Sequence, residues 1–343
     1  MDDFGVNRFL HSTYSSIMKE FQGSAPGKVI LFGEHAVVYQ RPAIAIPVHQ
    51  VQATAIVCSR TEHDSPGIWL DAPQINLQSK LDLQSDYPLA ILIRLILSTL
   101  EISEIPNITI HLSSAIPLAS GMGSGAAISV ALIRALLAYL NASLPLVQVN
   151  DLTYQVERKY PGTPSGIDNT VITYEQPIYF VRGAPFQKLN LNQEFTLVIA
   201  DSGVPSTTLE VVADVRRGWQ EEPHFFEDLF DQVASIAQNA RQVIENGPIQ
   251  ALGPLMNANQ VALRKMGVSS PKLDYLIDAA LFAGAYGSKL SGGGRGGNII
   301  ALVAKNQAEE IAAAIRHAGA VSTIITTESP TKIKSTHEQP DIS

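Results

Sequence analysis

The stretch Ile116-Pro117-Leu118-Ala119-Ser120-Gly121-Met122-Gly123-Ser124-Gly125-Ala126-Ala127 decides how this chain is read. Gly, Ser and Ala supply most of it, and an apolar-periodic run, Ile128 to Leu140, follows at once. Small residues let a backbone approach an anion closely, and glycine accepts positive φ. Free N–H groups at the start of the helix then face the anion, and the helix dipole adds to the attraction. The segment therefore reads as a phosphate cradle running from Pro117 and Ala119 to Ala126. No Gly-Lys-Ser/Thr closes it, so it is not a Walker loop. The run before it ends in proline and lacks the acidic partner of a dinucleotide fingerprint. The competing reading is a helix start packed tightly on a strand.

Working outward, Ser24-Ala25-Pro26-Gly27-Lys28-Val29-Ile30-Leu31-Phe32-Gly33-Glu34-His35 is a strand between two glycine turns. Lys28 stands at its start, and Glu34 and His35 at its end. They are either a set for a charged, hydroxylated substrate or a surface lysine and a solvated pair. Downstream, a helix carrying Glu157 stops at Pro161-Gly162, and the turn Pro164-Ser165-Gly166 presents Asp168. That acid reads as a base, a metal ligand or a turn-stabilising Asx residue. Finally, Gly287-Ser288-Lys289-Leu290-Ser291-Gly292-Gly293-Gly294-Arg295-Gly296-Gly297 holds six glycines in eleven residues. It reads as a flexible linker or, since long floppy loops are uncommon inside domains, as a second backbone surface facing a ligand.

Between these segments the pattern is mixed α and β. Strands are expected at 28–32, 43–57, 108–113, 176–181, 195–200, 298–303 and 321–326. Phe226, Leu229, Val233, Ile236, Ala240 and Val243 step by three and four, which predicts a helix stopped by Asn246-Gly247-Pro248. Ser270-Pro271 opens another with a cap and a first-turn proline. A further helix is expected over 307–317. Strand-rich sequence gives way to helix-rich sequence near residue 190. The expected organisation is an extension over 1–23, domains over 24–192 and 193–328, and a polar tail over 329–343 expected to be disordered.

The 343 residues suffice for two domains, and a net charge of −8 argues against nucleic acid as a partner. The lone cysteine, Cys58, excludes an internal disulfide and a Cys-rich metal site, which fits a reducing compartment. No basic start followed by an apolar run opens the chain, so no secretory signal is expected. The longest apolar stretch, Leu89 to Leu100, contains Arg94 and is too short to span a bilayer.

Taken in order, the four segments resemble the signature segments of the superfamily of galactokinase, homoserine kinase, mevalonate kinase and phosphomevalonate kinase (GHMP kinases), over about residues 24 to 326. Ala25-Pro26-Gly27-Lys28, then Gly33-Glu34-His35-Ala36-Val37-Val38-Tyr39, and Pro164-Ser165-Gly166-Ile167-Asp168-Asn169-Thr170 are most similar to the mevalonate kinase branch. The resemblance implies an α+β, two-domain fold: a ribosomal-protein-S5-like N-terminal domain, a ferredoxin-like C-terminal domain, and an active site in the cleft between them. It implies a cytoplasmic, ATP- and Mg2+-dependent enzyme, a monomer or homodimer, that phosphorylates mevalonate in the route to isoprenoids. It implies roles as well. Asp168 would be the catalytic aspartate, Lys28 its partner, and Glu157 with Ser124 the magnesium ligands. Glu34, His35 and Thr208, with Lys28 and Asp168, would contact the substrate, and Gly121 to Gly125 the triphosphate.

Four positions depart from the family pattern. Gly125 stands where a second serine is usual, which leaves Ser124 alone for the metal. Pro161 replaces a usual histidine, and Gly293 a usual alanine. Arg295 replaces a usual glycine and is expected to add a cation near the ATP cleft. The rival expectations are another kinase of the superfamily (phosphomevalonate, mevalonate 3- or sugar kinase) and a binding protein that has kept the fold without catalysis.

Overall fold

The computed structural model describes residues 19–61, 65–117, 120–159, 164–206 and 208–330. Residues 1–18, Ala119, Pro161 and the tail beyond 330 lie outside the described residues.

The chain opens with a long antiparallel ribbon of β1 (Glu20–Phe32) and β2 (Ala43–Ser59). β1 begins four residues before the expected domain start at 24. Phe21, Gly23 and Ala25 are all in register with β2, opposite Val57, Ala55 and Ala53. A bulge between Pro26 and Gly27 absorbs the proline that reads as a turn in the sequence. Next come β3 (Ile68–Ala72), β4 (Leu77–Lys80), α1 (Pro88–Thr99), β5 (Ile108–Ser114), α2 (Ser124–Tyr139), α3 (Leu146–Glu157), α4 (Ile167–Tyr174), β6 (Ile178–Phe180) and β7 (Gln187–Lys188). The strands form a sheet in the order β4-β3-β5-β2-β6-β7, with β1 paired to β2, and only β3–β5 is parallel. Helix α2 lies across the ribbon at short range: a Cβ on Gly23 would stand 2.3 Å from the carbonyl oxygen of Ala131. That glycine sets how deeply α2, and the loop that opens it, can seat on the strand.

The second unit comprises β8 (Phe195–Asp201), α5 (Thr208–Glu221), α6 (Pro223–Asn246), α7 (Leu252–Lys265), α8 (Pro271–Phe282), β9 (Gly287–Ser291), β10 (Asn298–Val303), α9 (Ala308–His317) and β11 (Ser322–Glu328). Its sheet is antiparallel throughout, in the order β11-β8-β10-β9. That order, with helices between β8 and β9 and between β10 and β11, is ferredoxin-like. The periodic residues Phe226, Leu229, Val233, Ile236 and Ala240 are buried along α6. Ser270 caps α8, its side chain accepting the Leu273 N–H.

Every strand of the first sheet precedes residue 189 and every strand of the second follows 194, but the apolar packing ignores that division. Ile236, Ala240 and Ile244 of α6 belong to the same core as β1 and α2, and Ala36 packs into the core of the second unit. Tyr39 stacks on Phe230 with ring centroids 4.2 Å apart, a pair that joins the units directly. Among the described residues no helix is long and apolar enough to cross a membrane.

Candidate active site

The bulge in β1 directs Lys28 toward the helical layer. Its backbone N–H donates to the Met122 carbonyl at 3.0 Å, which ties strand to glycine loop, and its Nζ lies 2.9 Å from Oδ1 of Asp168. Lys28 is 3% exposed and Asp168 33%, so a desolvated ammonium backs a carboxylate that still faces open space. Asp168 is held there by Gly166, which precedes α4 with φ of 88°, and it occupies the first turn, where the helix dipole favours negative charge. Glu157, half-buried at the end of α3, completes the group. Burial and the nearby Asp168 charge push its carboxyl up to about 8, and Lys28 opposes the shift. The buried Asn169 amide, turned with its nitrogen inward, donates to Gly166 O at 2.9 Å and to Glu157 Oε2 at 3.2 Å. Two acids thus face a single lysine, and a further positive charge beside them would bring the Glu157 carboxyl back toward its ionised form.

The glycine loop forms one wall. The Ser120 hydroxyl donates to Pro117 O at 2.7 Å, and Asn298 of β10 donates to Ser120 O at 2.8 Å. Gly121 and Gly123 both have positive φ, 79° and 75°, and Gly123 is the cap residue of α2. Ser124 and Gly125 are the first two helical residues, half-buried and exposed respectively, whereas Met122 sends its side chain into the core and only its backbone toward Lys28.

A cavity of about 400 Å³ opens on one side of this loop, lined by Lys28, Glu34, His35, Gly121, Glu157, Asp168, Thr208 and Gly293 among others. On the other side lies a second, mostly apolar cavity of about 340 Å³, lined by Ile75, Leu77, Tyr87, Leu112, Pro117, Gly125 and Ile128. Apart from the glycine loop and the start of α2, its walls come from β3, β4, α1 and β5, and apolar residues scattered over those elements leave no motif.

In the first cavity, Glu34 is fully buried and takes a charge-assisted hydrogen bond from the equally buried Lys289. His35 adopts φ of 60°, and its Nε2–H donates to the Gly293 carbonyl at 3.0 Å. Burial lowers its pKa to about 4, so the ring is neutral. Thr208 stands at the start of α5 beside Gly293.

Residues 89–176 match the model of the GHMP kinases N terminal domain, and residues 240–321 that of the GHMP kinases C terminal domain. A mevalonate kinase of Pyrococcus horikoshii is 34% identical over 327 residues, covering 90% of this chain and 96% of that protein. The chain belongs to the mevalonate kinase family of GHMP kinases. A solved mevalonate kinase of L. major, in complex with R-mevalonate, superposes with a TM-score of 0.79 at 29% identity, over 92% of this chain and 98% of that one. A phosphomevalonate kinase of Streptococcus pneumoniae, in complex with phosphomevalonate and AMPPNP, reaches 0.75 at 15% identity over 89% and 99%, which shows the shared GHMP fold alone.

Two departures from the usual mevalonate kinase pattern have structural counterparts. A Cβ at Gly293 would come within 2.7 Å of Thr208 Oγ1, so the glycine goes with a close approach of α5 to the loop. Arg295 does not line the cavity, although its charge reaches His35: its guanidinium pairs with Asp214 of α5, and its Nε donates to Gly267 O at 3.1 Å. The glycine-rich segment also differs from its reading as loop throughout. Gly287–Ser291 is strand β9, every residue of it buried, and only the part from Gly292 on is a turn facing the cavity.

Proposed function

We propose that this protein transfers the γ-phosphoryl group of ATP to the 5-hydroxyl of mevalonate, releasing ADP and 5-phosphomevalonate in the route to isoprenoids. The observation that carries the reading is the Lys28–Asp168 pair, 2.9 Å apart, in a cavity that a glycine loop separates from a second, apolar cavity. A nucleoside fits the apolar side and a polyphosphate the loop, and the acceptor hydroxyl meets Asp168 beyond it.

Phosphoryl transfer depends on positioning and charge neutralisation more than on covalent chemistry. Asp168 accepts a hydrogen bond from the acceptor hydroxyl, which orients the oxygen for attack, and takes up its proton as the bond to phosphorus forms. Lys28 stabilises Asp168 as a carboxylate and stabilises the charge on the migrating group. The N–H groups at the start of α2 accept the charge that develops on the phosphate oxygens. The excess of acid over base at Glu157 and Asp168 fits a divalent cation. Glu157 and Ser124 would hold Mg2+, which supplies charge neutralisation across the phosphates. A cytoplasmic setting is part of the proposal, supported by the lone Cys58, which has no partner for a disulfide within the chain.

The test is coupled ADP release with mevalonate, phosphomevalonate, galactose and homoserine side by side, with phosphorus NMR of the product. Turnover on mevalonate at least a hundredfold above the others, with a phosphate monoester at carbon 5, is expected. Preference for any other acceptor refutes the reading.

A further inference from the structure

Glu34 and Lys289 come from opposite ends of the chain, 255 residues apart, and both are 0% exposed. Oε1 of Glu34 accepts from Lys289 Nζ, which also donates to its neighbour's carbonyl, Leu290 O, at 2.6 Å. The other carboxylate oxygen, Oε2, is buried and has no hydrogen-bond partner among the described residues, although Glu34 lines the cavity that holds Asp168. Lys289 does not line that cavity. Burial alone pushes Glu34 up and Lys289 down, and their contact opposes both shifts.

A buried ion pair is about as stable as a well-packed apolar pair, so packing gives no reason to keep this one. A buried, unsatisfied carboxylate oxygen does need explaining. An ionised carboxylate accepts hydrogen bonds and donates none, and it repels another carboxylate. The partner it lacks is therefore a hydrogen-bond donor, and hydroxyls are the donors that a hydroxy-acid acceptor brings. Asp168 already serves the hydroxyl that reacts.

Building on the functional reading above, we propose that Lys289 is a positioning residue for acceptor recognition: it fixes the Glu34 carboxylate so that Oε2 accepts the O–H of the acceptor's second hydroxyl, the one that is not phosphorylated. The acceptor subsite is thereby shared between the two halves of the chain, Glu34 following β1 and Lys289 lying within β9.

The test is a double-mutant cycle on the full chain: wild type, Glu34→Gln, Lys289→Met and the double variant, each with separate KM values for acceptor and ATP. Lys289→Met is expected to raise the acceptor KM about 10- to 100-fold, the worth of a hydrogen bond to a charged group. The ATP KM should stay within about threefold, since neither side chain of the pair hydrogen-bonds to the glycine loop. In the Glu34→Gln background the same change should add nothing. An equal rise in both backgrounds, or a lower melting temperature with an unchanged acceptor KM, overturns the proposal. If Lys289→Met alone does not fold, the comparison of Glu34→Gln with the double variant, which buries no charge at this site, decides: equal acceptor KM values support the proposal and a further tenfold rise overturns it. Wild-type turnover on mevalonate, measured first, separates failure of the functional reading from failure of this one, and the cycle is then run on whichever acceptor is turned over.

Discussion

Gly123→Ala puts a methyl group where the structure has no room for one. The added Cβ would lie 2.7 Å from Cδ1 of Ile172 and 3.2 Å from Cγ of Lys28, on a backbone with φ of 75°. A left-handed conformation costs a residue with a Cβ about 1–2 kcal/mol, and overpacking a dense core a further ~1–3 kcal/mol, so a loss of about 2–5 kcal/mol is expected. For a chain of this size that is a fall in melting temperature of roughly 3–7 °C. The kinetic effect should be larger in proportion, because the methyl pushes on the stem of Lys28. A displacement approaching 1 Å costs about a hundredfold in rate, so turnover should fall about 10- to 100-fold. The companion variant isolates the cause. Ile172→Val removes the atom the methyl strikes. Alone it should cost about 0.5–1.5 kcal/mol as an ordinary core truncation, but combined with Gly123→Ala it should recover the overpacking part of the loss, leaving the strain of the left-handed backbone. Thermal melts and coupled ADP release on the four proteins decide the matter. If Ile172→Val costs the same in both backgrounds, or if Gly123→Ala melts and turns over like the wild type, the loop does not set the position of Lys28.

Asp168→Asn should keep the fold and ATP binding but lose most turnover; a rate within tenfold of wild type would remove Asp168 from the mechanism. Ser124→Ala should raise the magnesium requirement and lower turnover, while Gly125→Ser is tolerated, because a Cβ at 125 meets nothing within 4 Å. Gly123, not Ser124, holds the cap position, so a cap effect of about 1 kcal/mol is not expected, and an unchanged magnesium curve for Ser124→Ala would sink the ligand assignment. His35 titrates near 4 when folded against an ordinary value of 6.5, so the unfolded chain takes up its proton first as pH falls. The wild type should lose up to about 3 kcal/mol between pH 6.5 and 4, and His35→Asn should flatten that limb. Denaturation midpoints against pH with equal slopes for both proteins would exclude His35 as the source.

Much of the site could be read before the fold was known, because its chemistry depends on local backbone features. Gly121 and Gly123 mark positive φ, Gly166 marks the turn that presents Asp168, and the period of α6 marks a buried helix; each is written in one continuous stretch of sequence. The rest depends on contacts distant in sequence. Nothing near Lys289 tells of Glu34, and Arg295 reads as a cleft cation until α5 brings Asp214 beside it. Strand β9 hides among glycines because its neighbours, α7 and α8, bury it whatever its propensity. The early start of β1 hides behind Pro26 and Gly27, which read as a turn and instead form a bulge.

Among the described residues β1 pairs with β2 alone, so its other side is the open margin of a sheet. There the Lys28 N–H is taken by Met122 O, and the Ile30 N–H and carbonyl are both met by the Ser291 hydroxyl at 3.0 Å. The segments that assemble the reaction centre are thus also what stops another chain from adding a strand. A variant whose two glycine-rich segments fail to dock would lose turnover and expose a sticky margin in the same event. For this protein, inactivity and insolubility should arrive together.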